Sequence, residues 1–114
     1  MVGDATMIRT LRDRKRDEAR RRTQAVAVVS EHLRRHARAA GGRYLLYGSA
    51  GRDAMRFDSD IDLLVDFPAE TEAAAWRFAE EACAAQDIAA DIRPLTWCTE
   101  PFRAQILPDA RILA

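Results

Sequence analysis

Apolar and polar positions follow two different periods along this chain, and the changes of period mark its elements. From about Thr6 to Ala40 there is no Gly or Pro, and the strong helix formers Arg and Ala dominate. Val26, Val29, Leu33, Ala37 and Ala40 recur every three or four residues, which predicts a helix with one buried stripe. The first half of that helix offers only Met7, Ile8 and Leu11 before the charged run Arg12 to Arg22. Its C-terminal half is therefore expected to pack on the body, and its N-terminal half to project or fray. Gly41-Gly42 supplies the stop.

Beyond the glycines the pattern shortens. Arg43 to Tyr47 is aromatic and apolar and runs into Gly48, which predicts a buried strand delivering a tight turn. A short helix is expected from Ser49 to about Phe57, then a second strand from Asp58 to Phe67, ended by Pro68. Glu70 to Gln86 is Ala-rich, with Trp76, Phe78, Ala79, Ala82 and Cys83 forming one wide apolar face of a second packed helix. Ile88 to Leu95 alternates, with Ile88, Ala90 and Ile92 on one side and Ala89, Asp91 and Arg93 on the other: a third strand. Thr99 can cap a final short helix holding Phe102 and Ile106, followed by Pro108 and an apolar tail, Ile112-Leu113. The order α-β-α-β-α-β-α describes a small sheet covered by helices, of the α/β (α+β) class. At 114 residues this is one domain, divided into a basic N-terminal helix, 1–42, and a core, 43–114.

Charge changes the picture through its distribution. Lys+Arg and Asp+Glu are both 18. Yet residues through Arg43 carry 12 basic against 5 acidic groups, and those from Tyr44 onward 6 against 13. A basic arm on an acidic body is expected. No apolar run approaches a membrane span, and Met1 to Lys15 has no apolar segment of a secretory signal. Cys83 and Cys98 match no zinc spacing, so reduced thiols in a cytoplasmic protein are expected.

The candidate chemistry lies between Gly48 and Asp66. In an extended strand residues i and i+2 face the same way, so Asp60 and Asp62 project together. Two close carboxylates repel unless a cation or a shared proton lies between them, and hard oxygen ligands suit Mg2+. Asp58, Asp60 and Asp62 also have the early spacing of a calcium loop, but Leu63 and Ala69 stand where that loop needs Gly and Glu. Gly48-Ser49, where a strand turns into a helix, offers unpaired N–H groups and a hydroxyl to a phosphate; plain capping is the simpler alternative. Asp91 is either an edge-strand carboxylate paired with Arg93 or Arg52, or a third acid beside Asp60 and Asp62, able to take a proton as general base. His32 and His36 are one helical turn apart but lack a third ligand and read as surface histidines. The basic run reads as a solvated face with Asp13, Asp17 and Glu18 paired to arginines. A nucleic-acid-binding arm is the alternative, disfavoured because no aromatic residue interrupts the run.

Gly48-Ser49, Arg52, Ser59-Asp60-Ile61-Asp62-Leu63 and Asp91 together resemble the signature of the polymerase-β-type nucleotidyltransferase superfamily. The nearest likeness is to the minimal nucleotidyltransferases (MNT), the antitoxin half of MNT–HEPN toxin–antitoxin pairs. The resemblance covers roughly Tyr44 to the C-terminus. It implies the nucleotidyltransferase fold, two Mg2+ ions, ATP as donor and AMP transfer to a hydroxyl. Carried over by position, Gly48, Ser49, Arg52 and Ser59 would bind the nucleotide, and Asp60, Asp62 and Asp91 would hold both metals and be catalytic. The family usually carries Gly after the arginine, where this chain has Asp53. The implied acceptor is a tyrosine of a partner HEPN ribonuclease toxin in a hetero-oligomer. Two alternatives are a non-catalytic antitoxin acting by contact and the catalytic subunit of an aminoglycoside-type nucleotidyltransferase.

Overall fold

The computed structural model describes residues 10–114, so the predicted helix start at Thr6, with Met7 and Ile8, lies outside the described residues. Helix α1 runs Leu11–Ala40. The Thr10 hydroxyl accepts from the Asp13 amide at 3.1 Å, and Gly41 closes the helix in the left-handed region at φ 75°. Between these caps lies the expected stripe: Val26, Val29, Leu33 and Ala37 are buried, joined by Ala25 and Ser30. At 30 residues the helix is about 45 Å long.

Strand β1, Arg43–Tyr47, follows directly, and then helix α2, Gly48–Gly51. Strand β2 is Ile61–Asp66, helix α3 Ala69–Ala85, strand β3 Ala90–Pro94 and helix α4 Glu100–Ile106. A short strand β4, Arg111–Leu113, ends the chain. The sheet has the order β3-β2-β1-β4, with β2 and β3 parallel and the other two pairings antiparallel. Parallel pairing needs a long crossover, and α3 is that crossover. The result is a mixed sheet with helices packed on it, the α+β class expected.

One face of the sheet carries Tyr44, Leu46, Ile61, Leu63 and Val65 and packs against α1 and α3 through Val29, Leu33, Ala75 and Ala79. The Tyr44 hydroxyl donates to the Ala75 carbonyl at 2.7 Å, so this buried phenol is satisfied. The other face holds a smaller cluster of Leu45, Tyr47 and Leu64 under Leu95, Phe102 and Ile106. Thr99 caps α4 as anticipated, accepting from the Phe102 amide at 3.3 Å.

Several expectations are corrected. The apolar tail Ile112-Leu113 is strand β4: Leu113 pairs with Tyr44 and is buried, while Ile112 faces out. The helix expected over Ser49 to Phe57 is a single turn, because Asp53 takes a left-handed conformation that ends it. The second strand starts at Ile61 rather than Asp58, and the third at Ala90 rather than Ile88. His36 is no surface histidine; it stacks on Phe78 with centroids 4.3 Å apart and lies near Tyr44 and Phe67. The basic half of α1 does not simply project. Arg21 donates to the Gln86 and Asp87 carbonyls at 3.1 and 3.0 Å, and Lys15 lies over the Phe57 ring.

Candidate active site

Register alone sets the centre of the site. Tyr47 on β1 lies opposite Asp62 on β2, and Asp62 lies opposite Asp91 on β3. Neighbouring strands are about 4.8 Å apart, so the two carboxylates stand side by side on one face. Burial pushes the Asp62 carboxyl above its ordinary range, and the negative charges of Asp91 and Asp60 push it further. Burial, and then the negative charges of Asp62 and Asp91, push the Tyr47 phenol up to about 12.

Gly48 follows Tyr47 at the end of that row. Its φ of 66° lies in the left-handed region, and a Cβ there would overlap Asp62 Oδ2. The left-handed backbone favours glycine, and the contact shows how closely the turn approaches the acid. Ser49 lies half-buried within α2, its carbonyl accepting from the Ala54 amide at 2.8 Å. The Arg111 guanidinium donates to the Ala50 carbonyl at 3.3 Å and anchors the turn to β4. Arg52 ends α2, and its exposed guanidinium makes no ion pair among the described residues. Asp53 has φ 56°, a conformation that glycine adopts freely and Asp tolerates better than most residues. The Ser59 hydroxyl accepts from the Arg56 amide at 2.8 Å and closes the loop ahead of β2.

Asp60 stands one residue before β2, and its side chain is turned to Arg22 of α1 at 3.4 Å. The same guanidinium donates to the Ser59 carbonyl at 2.6 Å and lies 3.3 Å from Glu18. Asp91 is held in two hydrogen bonds by Arg93, at 3.2 and 2.8 Å. Asp91 is thus an arginine-paired edge carboxylate that neighbours Asp62 across the strand pair. Among the described residues no three His, Cys, Asp or Glu side chains are gathered closely enough to hold one metal ion. Two of the three acids face guanidinium groups, Asp60 that of Arg22 and Asp91 that of Arg93. Asp62 and Asp91 fit a hard divalent cation as adjacent oxygen donors, while Asp60 faces Arg22.

Residues 26–106 match the family profile of the nucleotidyltransferase domain, most of the chain. The chain belongs to that family. No curated protein and no solved structure shows significant similarity to it. The chemistry of this nucleotidyltransferase is therefore nucleotidyl transfer, and the Gly48–Asp62–Asp91 row lies within the matched span. Sequence reasoning missed Arg22 as a partner of Asp60, because a contact across 38 residues leaves no local signal. It also missed Tyr47, although a strand ending one residue before the glycine could have pointed to it. Among the described residues of the nucleotidyltransferase no helix is long and apolar enough to cross a membrane.

Proposed function

We propose that the protein transfers AMP from ATP to a hydroxyl, and that the acceptor is a tyrosine of a partner HEPN ribonuclease toxin. The observation that carries the transfer is the row across the sheet: a glycine turn abutting Asp62, and Asp91 beside it. The likeness of Gly48-Ser49 and Ser59-Asp60-Ile61-Asp62-Leu63 to the MNT antitoxins supports the acceptor. Asp62 and Asp91, with Asp60 once it leaves Arg22, would hold Mg2+. When bound, Mg2+ supplies positive charge to the triphosphate and stabilises the charge that develops on it. The N–H groups at Gly48-Ser49 bind the outgoing pyrophosphate oxygens, and the exposed Arg52 adds a mobile cation to the same turn. Asp91 accepts the proton of the attacking hydroxyl.

The test is transfer of label from α-labelled ATP to the partner toxin in the presence of Mg2+. Asp91→Asn is expected to lower transfer by about 10²- to 10⁴-fold, the range for loss of a general base. A second reading, neutralisation by contact without catalysis, draws on the pairing of Asp60 with Arg22 and of Asp91 with Arg93. It is supported if the toxin stays unlabelled while Asp62→Asn Asp91→Asn neutralises it as well as the natural chain does.

A further inference from the structure

The cavity of about 570 Å³ between β3 and α4 borders Asp91 and belongs to the site already described. Outside that site, the basic N-terminal half of α1 is left without a role. Along one side of it Lys15, Glu18 and Arg22 continue the three-and-four spacing of Val26 and Val29. That side meets the loop ahead of β2, with Lys15 over Phe57 and Arg22 on Ser59 and Asp60. The remaining sides carry Arg12, Arg14, Arg16 and Arg20, all exposed. We propose that these four arginines are a docking surface for double-stranded DNA, gripping its phosphates while the first turns of α1 enter the major groove. The inference is independent of the transfer proposed above.

Spacing is its first support. Arg12, Arg16 and Arg20 recur every four residues, so they form one row in steps of about 6 Å along the axis. At 100° per residue, Arg14 falls on the opposite flank of the stripe that faces the body. Cations on both flanks of one rod meet the phosphates on both walls of a groove.

Availability is the second. A solvated face needs its acids to answer its arginines. Glu18 is turned instead to Arg21 and Arg22, on the body side. Asp13 pairs with Arg16 at 3.3 Å, but the arginine is 63% exposed, and such a surface pair yields readily to a phosphate. Arg12, Arg14 and Arg20 make no ion pair among the described residues. The chain's net charge is zero, so any pull on a polyanion comes from this local row and not from the molecule as a whole. The acidic remainder is repelled by the same phosphates, which points the arm at them and the body away.

Shape and composition select the polyanion. Single strands are held by stacking bases on aromatic rings, and Arg12 to Arg22 contains none. A helix about 10–12 Å across fits the major groove of B-DNA, about 12 Å wide. The major groove of A-form RNA is too deep and narrow for side chains to read. Contacts to phosphates position a protein without regard to sequence, so any duplex serves as a probe.

The test measures fluorescence anisotropy of a labelled DNA duplex of about two helical turns with the full chain. Duplex RNA, single-stranded DNA and polyglutamate of similar length are the competitors. The DNA duplex is expected to bind saturably and tighter than all three. Its log affinity should fall against log salt with a slope of about −3 to −4, as four neutralised phosphates require. Arg12→Gln Arg16→Gln Arg20→Gln should lower that slope by about 3 and weaken binding at least about tenfold. Arg34→Gln Arg35→Gln Arg38→Gln removes the same charge from the other end of the helix and should leave both unchanged. The order of the four probes on the natural chain decides the matter even if a variant unfolds. No binding of the duplex, or equal losses in the two variants, overturns the proposal. Polyglutamate binding as tightly as the duplex would assign the arm to an acidic protein instead, and duplex RNA or the single strand doing so would also overturn it. Sedimentation checks the last alternative: a salt-sensitive dimer lost in the first variant would mean that a second copy's acidic body covers the row, and the DNA assignment would fall.

Discussion

Asp62 and Asp91 are register partners on the parallel strands β2 and β3, so two carboxylates share one face of the sheet with no residue between them. Parallel strands bring equivalent positions abreast, and the α3 crossover is what makes these two strands parallel. Asp62 lies in the middle of the sheet and Asp91 on its edge. Their repulsion is a cost that the fold carries unless a cation joins them.

That cost can be read against pH. The folded-state pKa of Asp62 is raised, first by burial and then by Asp91 and Asp60, so the folded state binds a proton more readily than the unfolded chain. Stability attributable to this group therefore falls as pH rises through the window above the usual 3.8 and recovers as pH is lowered. Asp62→Asn is expected to raise the melting temperature at pH 7, the difference shrinking to nothing as the pH drops to the ordinary carboxylate range. Thermal melts across pH 4 to 8 would check it, and a variant less stable than the natural chain at pH 7 would contradict it.

Gly48→Ala tests the close approach of the turn. The left-handed backbone alone costs a non-glycine residue about 1–2 kcal/mol. The new Cβ also meets Asp62 Oδ2, so the carboxylate has to move. The expected outcome is a stability loss of at least about 1 kcal/mol together with weakened binding of an ATP analogue, measured by denaturant melts and calorimetry. A loss of stability with unchanged nucleotide affinity would separate the turn from the phosphates.

What could be read in the sequence, and what could not, divides along the range of the interactions. Val26, Val29, Leu33 and Ala37 declare their helix through local spacing, and Gly41 and Thr99 declare their caps through local chemistry. The alternation around Asp91 likewise marked its strand and its face. Strand β4 escaped because Ile112-Leu113 is too short to show a period; only its pairing with β1 makes it a strand. His36 looked like surface because its aromatic neighbours Phe67 and Phe78 come from elsewhere in the chain. The grip of Arg22 on Asp60 was hidden for the same reason, as was the cavity between β3 and α4. Motif residues stood out in the sequence; their partners needed the fold.

Asp53 offers a third test. At φ 56° it ends α2 in a conformation where glycine pays no side-chain penalty. Asp53→Gly relieves that strain but loosens the unfolded chain by about 0.4–1 kcal/mol, so the two effects nearly cancel. Asp53→Ala keeps the penalty and loses Asp's tolerance of it, and should cost about 1 kcal/mol. Paired melts of the two variants would show the order Gly above Ala; the reverse order would mean the turn relaxes when Asp is removed.

Arg22 holds two things at once, and its removal should separate them. It is only 20% exposed, and its guanidinium donates to the Ser59 carbonyl and pairs with Asp60, tying α1 to the loop ahead of β2. A hydrogen bond from a charged donor is worth about 1.5–3 kcal/mol, so Arg22→Gln is expected to cost stability on that order. The same change frees Asp60 from a competing cation. Although less stable, the variant should respond to Mg2+ at lower concentration than the natural chain, because a divalent ion no longer has to displace a guanidinium. Two readouts make the measurement discriminating: the melting temperature without metal falls because a tie is lost, and the Mg2+ midpoint for raising it falls because a competing cation is gone. If the midpoint rises instead, Arg22 is holding Asp60 in position rather than competing for it, and the loop needs its anchor before the acids can meet.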